Sequence, residues 1–302
     1  MSADLAVATP AYVDLTFVGL EALPGPGDEC FAGGLLRSPG GGAITAVAGA
    51  RLGLSTTLVS PLGDDEGGEF VRRALAEEGV DALPPRGVRT PTTVVLPVGG
   101  DRAMVTVDPG VRARAADIAA VDPRAVVASL ELVDMLPEQA LAYITIGDDD
   151  ARAYAGRLAR RGPLPRSLIC NWREAQMLTG AGTPGEAAQR LAEVAETAVV
   201  WEGAQGAMAC VDGRVVAVPG VEAGPGVDPT GDRDLLAAAF AWADLHGAEA
   251  EESARWAVVY AALSVTVPTG AAGAVTRERL LEEGRRQGLA EPPGRGAQGV
   301  VA

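Results

Sequence analysis

Val227-Asp228-Pro229-Thr230-Gly231-Asp232-Arg233-Asp234 runs directly into Leu235-Leu236-Ala237-Ala238-Ala239-Phe240. A glycine-bearing turn here feeds an apolar helical run, predicted over 235–245. The first backbone N–H groups of such a helix have no partner within it, and the helix dipole adds positive character, so the turn suits an anion. Asp234 falls in the first helical turn, where a carboxylate is either a cap of the helix or a general base. A base beside anion-holding N–H groups is what phosphoryl transfer asks for: one group takes a hydroxyl proton while the others hold the transferring group.

Outward from this stretch, strand-like and helix-like runs alternate. Strands are predicted at 56–60, 125–129, 141–146, 168–170 and 198–201, and helices at 43–52, 66–78, 148–161, 184–195, 249–265 and 277–287. Residues 207–211 and 214–218 read as a hairpin. That alternation specifies a mainly parallel sheet covered on both faces, a three-layer α/β sandwich. Two early pieces do not fit it. Residues 29–37 alternate like an edge strand, and 91–108 read as two strands joined by Gly99-Gly100-Asp101-Arg102, a hairpin signal. They suit a small second sheet projecting as a lid. The expected organisation is one domain over 1–287, with a Gly-, Pro- and Ala-rich tail at 288–302 expected to be disordered.

Composition removes several chemistries. The chain has 302 residues, with 25 Lys+Arg against 40 Asp+Glu and a net charge of −15. All the basic residues are arginine, and His246 is the single histidine. Without lysine there is no Schiff-base enzyme and no P-loop. One histidine excludes paired-histidine zinc sites and leaves proton transfer to Asp and Glu. The acidic balance opposes nucleic-acid backbone binding. Cys30, Cys170 and Cys210 form no C-x-x-C pair and read as reduced thiols of a cytoplasmic protein. The apolar runs are too short for a membrane span, and the start lacks the basic-then-apolar pattern of a secretion signal.

Three further sites carry candidate chemistry. Asp14 sits in the apolar run 11–18, read as a buried strand, where a carboxylate is costly unless it is paired or functional. Pro39-Gly40-Gly41-Gly42 opens the helix at 43 and lets backbone approach a ligand. Asn171-x-x-Glu174 follows a strand end; the pair either caps a helix or holds a hydrated Mg²⁺.

In their order, the strand Asp14, the glycine helix start closing on Arg51-Leu52-Gly53, the run PLGDDEGGEFVRRALAEEGVDA at 61–82, Asn171-x-x-Glu174 and Asp228-Pro229-Thr230-Gly231-x-x-Asp234 resemble the ribokinase-like (PfkB) carbohydrate kinases. The resemblance spans roughly residues 10–285. It implies ATP, Mg²⁺ and transfer of the γ-phosphate to a sugar or nucleoside hydroxyl. By position it implies Asp234 as catalytic base, Gly231, Asp232 and Arg233 in the anion hole, and Asn171 and Glu174 on the metal side. It also implies Asp14 and Gly40, Gly41 and Gly42 against substrate, Gly203 near nucleotide, and lids that pair across a homodimer. Two departures stand out. The family pattern Gly-Ala-Gly-Asp reads Gly231-Asp232-Arg233-Asp234 here, so Asp232 opposes an anion and Arg233 replaces a glycine. The usual sugar-binding asparagine falls on Ile44. An alternative is therefore a degenerate member that binds a polyol or nucleotide with little transfer. A dinucleotide-binding oxidoreductase is disfavoured because no G-x-G-x-x-G fingerprint follows a long strand.

Overall fold

A computed structural model describes residues 3–84, 86, 89–99, 101–159, 162–222, 224, 230–267 and 269–294. Val227, Asp228 and Pro229 lie outside them, as does the tail from 295. In chain order the elements begin β1 (Leu5–Val7), β2 (Ala11–Val18), β3 (Gly34–Gly41), α1 (Gly42–Arg51), β4 (Thr56–Leu58), α2 (Glu66–Glu77), β5 (Asp81–Ala82), β6 (Thr92–Val98) and β7 (Asp101–Val107). They continue α3 (Ala115–Val121), β8 (Ala125–Ser129), β9 (Leu141–Thr145), α4 (Asp148–Ala153), β10 (Ser167–Asn171), α5 (Trp172–Thr179), α6 (Pro184–Leu191) and β11 (Thr197–Trp201). The chain closes with β12 (Gly206–Val211), β13 (Arg214–Pro219), α7 (Asp232–Leu245), α8 (Ala250–Ser264), α9 (Gly270–Gly273) and α10 (Arg277–Arg286).

Among the described residues a nine-stranded sheet runs β13-β12-β11-β10-β9-β8-β1-β4-β5. It is parallel from β11 to β5, and β12 is antiparallel to both its neighbours. Successive residues of the central strands feed opposite layers. Ala125, Val127, Ile169 and Val199 join one core with α1, α7 and α8, whereas Val126, Ala128, Leu168, Cys170 and Val200 join the other with α5 and α6. This period of two, on strands buried on both faces, is why they read as continuous apolar runs. The three-layer α/β architecture is as expected.

Helix α7 is the spine of the site. From Asp234 to Leu245 every residue is buried, because α1, α8 and the sheet enclose it. An alanine-rich helix that is apolar all round suits that position. Its C-terminal end is pinned by Asp244, which accepts from Tyr143 Oη at 2.6 Å and from the Arg166 guanidinium at 2.9 and 2.6 Å. Burying Phe240 and Trp242 stabilises the anchorage by about 2–3 kcal/mol each.

The second sheet exists, in the order β3-β2-β6-β7, with different membership from that expected. The run 11–18 belongs to it rather than to the main sheet, where the three-residue β1 pairs with β8 and β4. The expected strand at 29–37 is β3, displaced to 34–41, because all eight of its residues pair with β2 from Val18↔Gly34 to Ala11↔Gly41. Pro39 is tolerated since β3 is an edge strand. The helix expected over 148–161 stops at Ala153, and Gly156 takes a left-handed φ of 63°. The expected disordered tail is docked as far as Gly294: Leu289 is buried, Arg277 pairs with Glu291 at 2.8 Å, and the Gly294 N–H donates to the His246 carbonyl.

Candidate active site

A cleft of about 950 Å³ opens between the lid sheet and the carboxyl ends of β8 and β9. Ligands of open α/β sheets bind at such strand ends. The lid contributes Asp14 and Arg102, the segment after β9 contributes Asp148, Asp149 and Asp150, and the start of α7 contributes Gly231, Arg233 and Asp234. The structure thus brings together Asp14, Gly41, Gly42, Gly231, Arg233 and Asp234. Gly40, Asn171, Glu174, Asp232 and Gly203 do not line this cleft.

Gly231 is the residue before α7, with φ of 83°, a left-handed conformation that favours glycine. A Cβ there would also stand 2.7 Å from Ile44 Cδ1, so the turn and the Ile44 side chain are matched in shape. Ile44 fills with packing the position where the resemblance expects a polar contact. Asp234 stands in the first turn of the helix, 8% exposed, and Thr45 Oγ1 donates to its backbone carbonyl at 3.4 Å. Burial raises the Asp234 carboxyl above the ordinary carboxylate range, and the Arg233 guanidinium pulls it partly back.

Asp232 and Arg233 have found partners within the protein. Asp232 Oδ1 accepts from the Arg233 backbone N–H at 2.7 Å, and Oδ2 accepts from Trp201 Nε1 at 2.8 Å. One of the N–H groups expected to receive an anion is therefore already capped by a carboxylate. Arg233 turns its Nη1 to the Ile146 carbonyl at 2.8 Å and Glu174 Oε1 at 2.6 Å, and its Nε is buried with no hydrogen-bond partner among the described residues.

Asn171 and Glu174 form the capping box of α5. Asn171 Oδ1 accepts from the Glu174 N–H at 2.9 Å, and Glu174 Oε2 accepts from the Asn171 N–H at 2.8 Å. With Oε1 on Arg233, both Glu174 oxygens are engaged. Among the described residues no group of three or more His, Cys, Asp or Glu side chains could hold a metal ion. The expectation that Asn171 and Glu174 seat Mg²⁺ does not fit this geometry. Burial raises the Glu174 carboxyl and Arg233 lowers it.

The glycines at 40–42 serve the chain's own packing as much as any ligand. A Cβ on Gly40 would overlap the Asp14 carboxylate, and one on Gly41, at φ 55°, would stand 2.5 Å from the Pro10 carbonyl oxygen. Asp14 is 5% exposed on β2. Gly203 lies in the short turn after β11, two residues beyond Trp201. Sequence reasoning missed Trp201 and Ile146 as partners of the Asp232-Arg233 pair, since an indole and a backbone carbonyl carry no motif. The Asp148-Asp149-Asp150 run at the start of α4 also lines the cleft, and burial pushes the Asp150 carboxyl up to about 6.

A sequence profile of the pfkB family of carbohydrate kinases matches residues 32–277. The chain is 29% identical over 278 residues to a ribokinase of Bacillus subtilis, covering 86% of this chain and 92% of the relative. Among solved structures it is similar to Arabidopsis thaliana ribokinase complexed with ribose and ATP, at a TM-score of 0.71 and 22% identity over 93% of this chain and 98% of that one. It is also similar to a nucleoside kinase of Methanocaldococcus jannaschii, an archaeal member of the ribokinase family, at a TM-score of 0.71 and 17% identity over 94% and 98% of the two chains. These structural likenesses show the same fold.

Proposed function

The chain belongs to the pfkB family of carbohydrate kinases, and from that membership we propose that it transfers the γ-phosphate of ATP to a hydroxyl of a sugar or nucleoside, with Asp234 as general base. The observation that carries this reading is the buried Asp234 carboxylate at the start of α7, in a cleft faced by the lid. In a dry site with raised proton affinity, that carboxylate is suited to take the acceptor's proton as the oxygen attacks phosphorus. Asp14 and the backbone at Gly41 and Gly42 hold the acceptor's other hydroxyls. N–H groups at the α7 start receive the charge that builds on the phosphoryl oxygens. The turn at Gly203 is the proposed nucleotide contact. Mg²⁺ accompanies the phosphates of ATP and neutralises their charge. Incubating the protein with ATP, Mg²⁺ and a panel of sugars and nucleosides tests the reading: a phosphorylated acceptor is expected, and its absence across the panel overturns it.

One observation favours a second reading, a member that binds its ligand with little transfer: the Asp232 carboxylate already occupies the Arg233 N–H. If Asp232→Ala makes product where the natural chain makes none, that second reading is the correct one.

The lid's outer face suggests the partner. Leu35, Val105 and Val107 are 56, 64 and 69% exposed, a costly apolar surface in water. We propose that a second copy covers it in a homodimer. Light scattering should report twice the chain mass, falling to one chain in Val105→Glu. Among the described residues no helix is long and apolar enough to cross a membrane, and the proposed compartment is the cytoplasm.

A further inference from the structure

Two oxygens converge on Arg233 Nη1: the Ile146 carbonyl at 2.8 Å, just past β9, and Glu174 Oε1 at 2.6 Å, in the first turn of α5. A carbonyl and a carboxylate are the hard oxygen donors that a divalent cation takes. Glu174 is 4% exposed, so its charge needs a partner close by. Arg233 supplies it along a path open only because the chain carries arginine where the resembled pattern has glycine. The guanidinium is a quarter exposed and lies against the cleft wall. The rest of the corner is closed: Asn171 Oδ1 and Glu174 Oε2 are committed to capping α5.

We propose that Arg233 is the protein's own cation at this corner, occupying the place between Ile146 and Glu174 that a divalent ion would otherwise take. The Asn171-x-x-Glu174 motif then works as a helix cap and arginine anchor and does not bind metal. A guanidinium differs from a metal ion in its consequences. It is permanently charged and held by the fold, so this part of the site keeps its positive charge whether or not nucleotide is bound. A free dication would have to displace a bonded arginine to reach Glu174.

The proposal does not depend on phosphoryl transfer, so its test uses the chain without nucleotide. Mn²⁺ binding followed by electron paramagnetic resonance is the readout, and thermal melting reports whether each variant folds. In the natural chain Glu174→Gln should leave Mn²⁺ affinity unchanged. Arg233→Gly should create a site at least about tenfold tighter than any in the natural chain. Adding Glu174→Gln to that variant should abolish it. Should Arg233→Gly fail to fold, Arg233→Met keeps the side-chain stem without the charge and makes the same prediction. Loss of Mn²⁺ affinity in Glu174→Gln alone, or a folded Arg233 variant that gains no site, overturns the proposal. A negative result in the acceptor panel would overturn the kinase reading and leave this one standing.

Discussion

The two ends of the cleft are built on different terms. At the start of α7 the charges are settled within the protein: Asp232 holds Trp201 and a helix N–H, and Arg233 holds Glu174 and Ile146. At the lid end, donors remain uncommitted among the described residues. The Thr9 hydroxyl and Arg102 Nε are buried without hydrogen-bond partners, and the closest carboxylates to the Arg102 guanidinium stand at 4.0 Å. An engaged group contributes rigidity, and an unengaged one contributes recognition, because only the second gains a bond when ligand arrives. In the proposed reaction, that difference would leave acceptor choice to the lid and orientation of the phosphoryl end to the fold.

The largest expected break in that contrast is at Arg233. Replacing it with Met leaves Glu174 buried and unpaired, and should lower unfolding stability by about 3 kcal/mol, read from denaturant midpoints. A loss under about 1 kcal/mol would mean that the pair is as weak as an exposed one. Next is Asp14, buried at the lid end and lining the cleft. Asp14→Asn should lower kcat/KM for the acceptor about 100-fold, the loss of one charge-assisted hydrogen bond, while leaving the melting temperature nearly unchanged. A fall in stability with unchanged kinetics would move Asp14 into the structural class.

The smallest effect concerns pH. In the folded chain burial pushes the Asp150 carboxyl up to about 6, well above the ordinary carboxylate range. Folding is therefore favoured while Asp150 keeps its proton, and this contribution is lost as pH rises through about 6. Asp150→Asn should flatten that limb of the stability profile by on the order of 2 kcal/mol. An unchanged profile would place the titration elsewhere.

The elements that bear the site were readable from their ends. The α7 start, the Asn171-x-x-Glu174 cap and the alternation of β8 to β11 follow from local rules of capping and period. Membership of a sheet is not local. An eight-residue apolar run such as 11–18 looks the same in either sheet, and only its pairing with 34–41 and 92–95 decides. The three-residue β1 was too short to carry a pattern. Arg233 could be flagged at the phosphate end because it replaced a glycine, yet its direction depends on Glu174, 59 positions earlier, and on a carbonyl at 146. Side chains that answer to distant backbone are the ones a motif cannot orient.

The central claim is that Asp234 takes the acceptor's proton. Single-turnover transfer from labelled ATP, on an acceptor found in the panel, tests it in the natural chain against Asp234→Asn. A fall of about 10²–10⁴-fold in the transfer rate, with acceptor affinity retained, is predicted. Transfer within a few-fold of the natural rate would contradict the account.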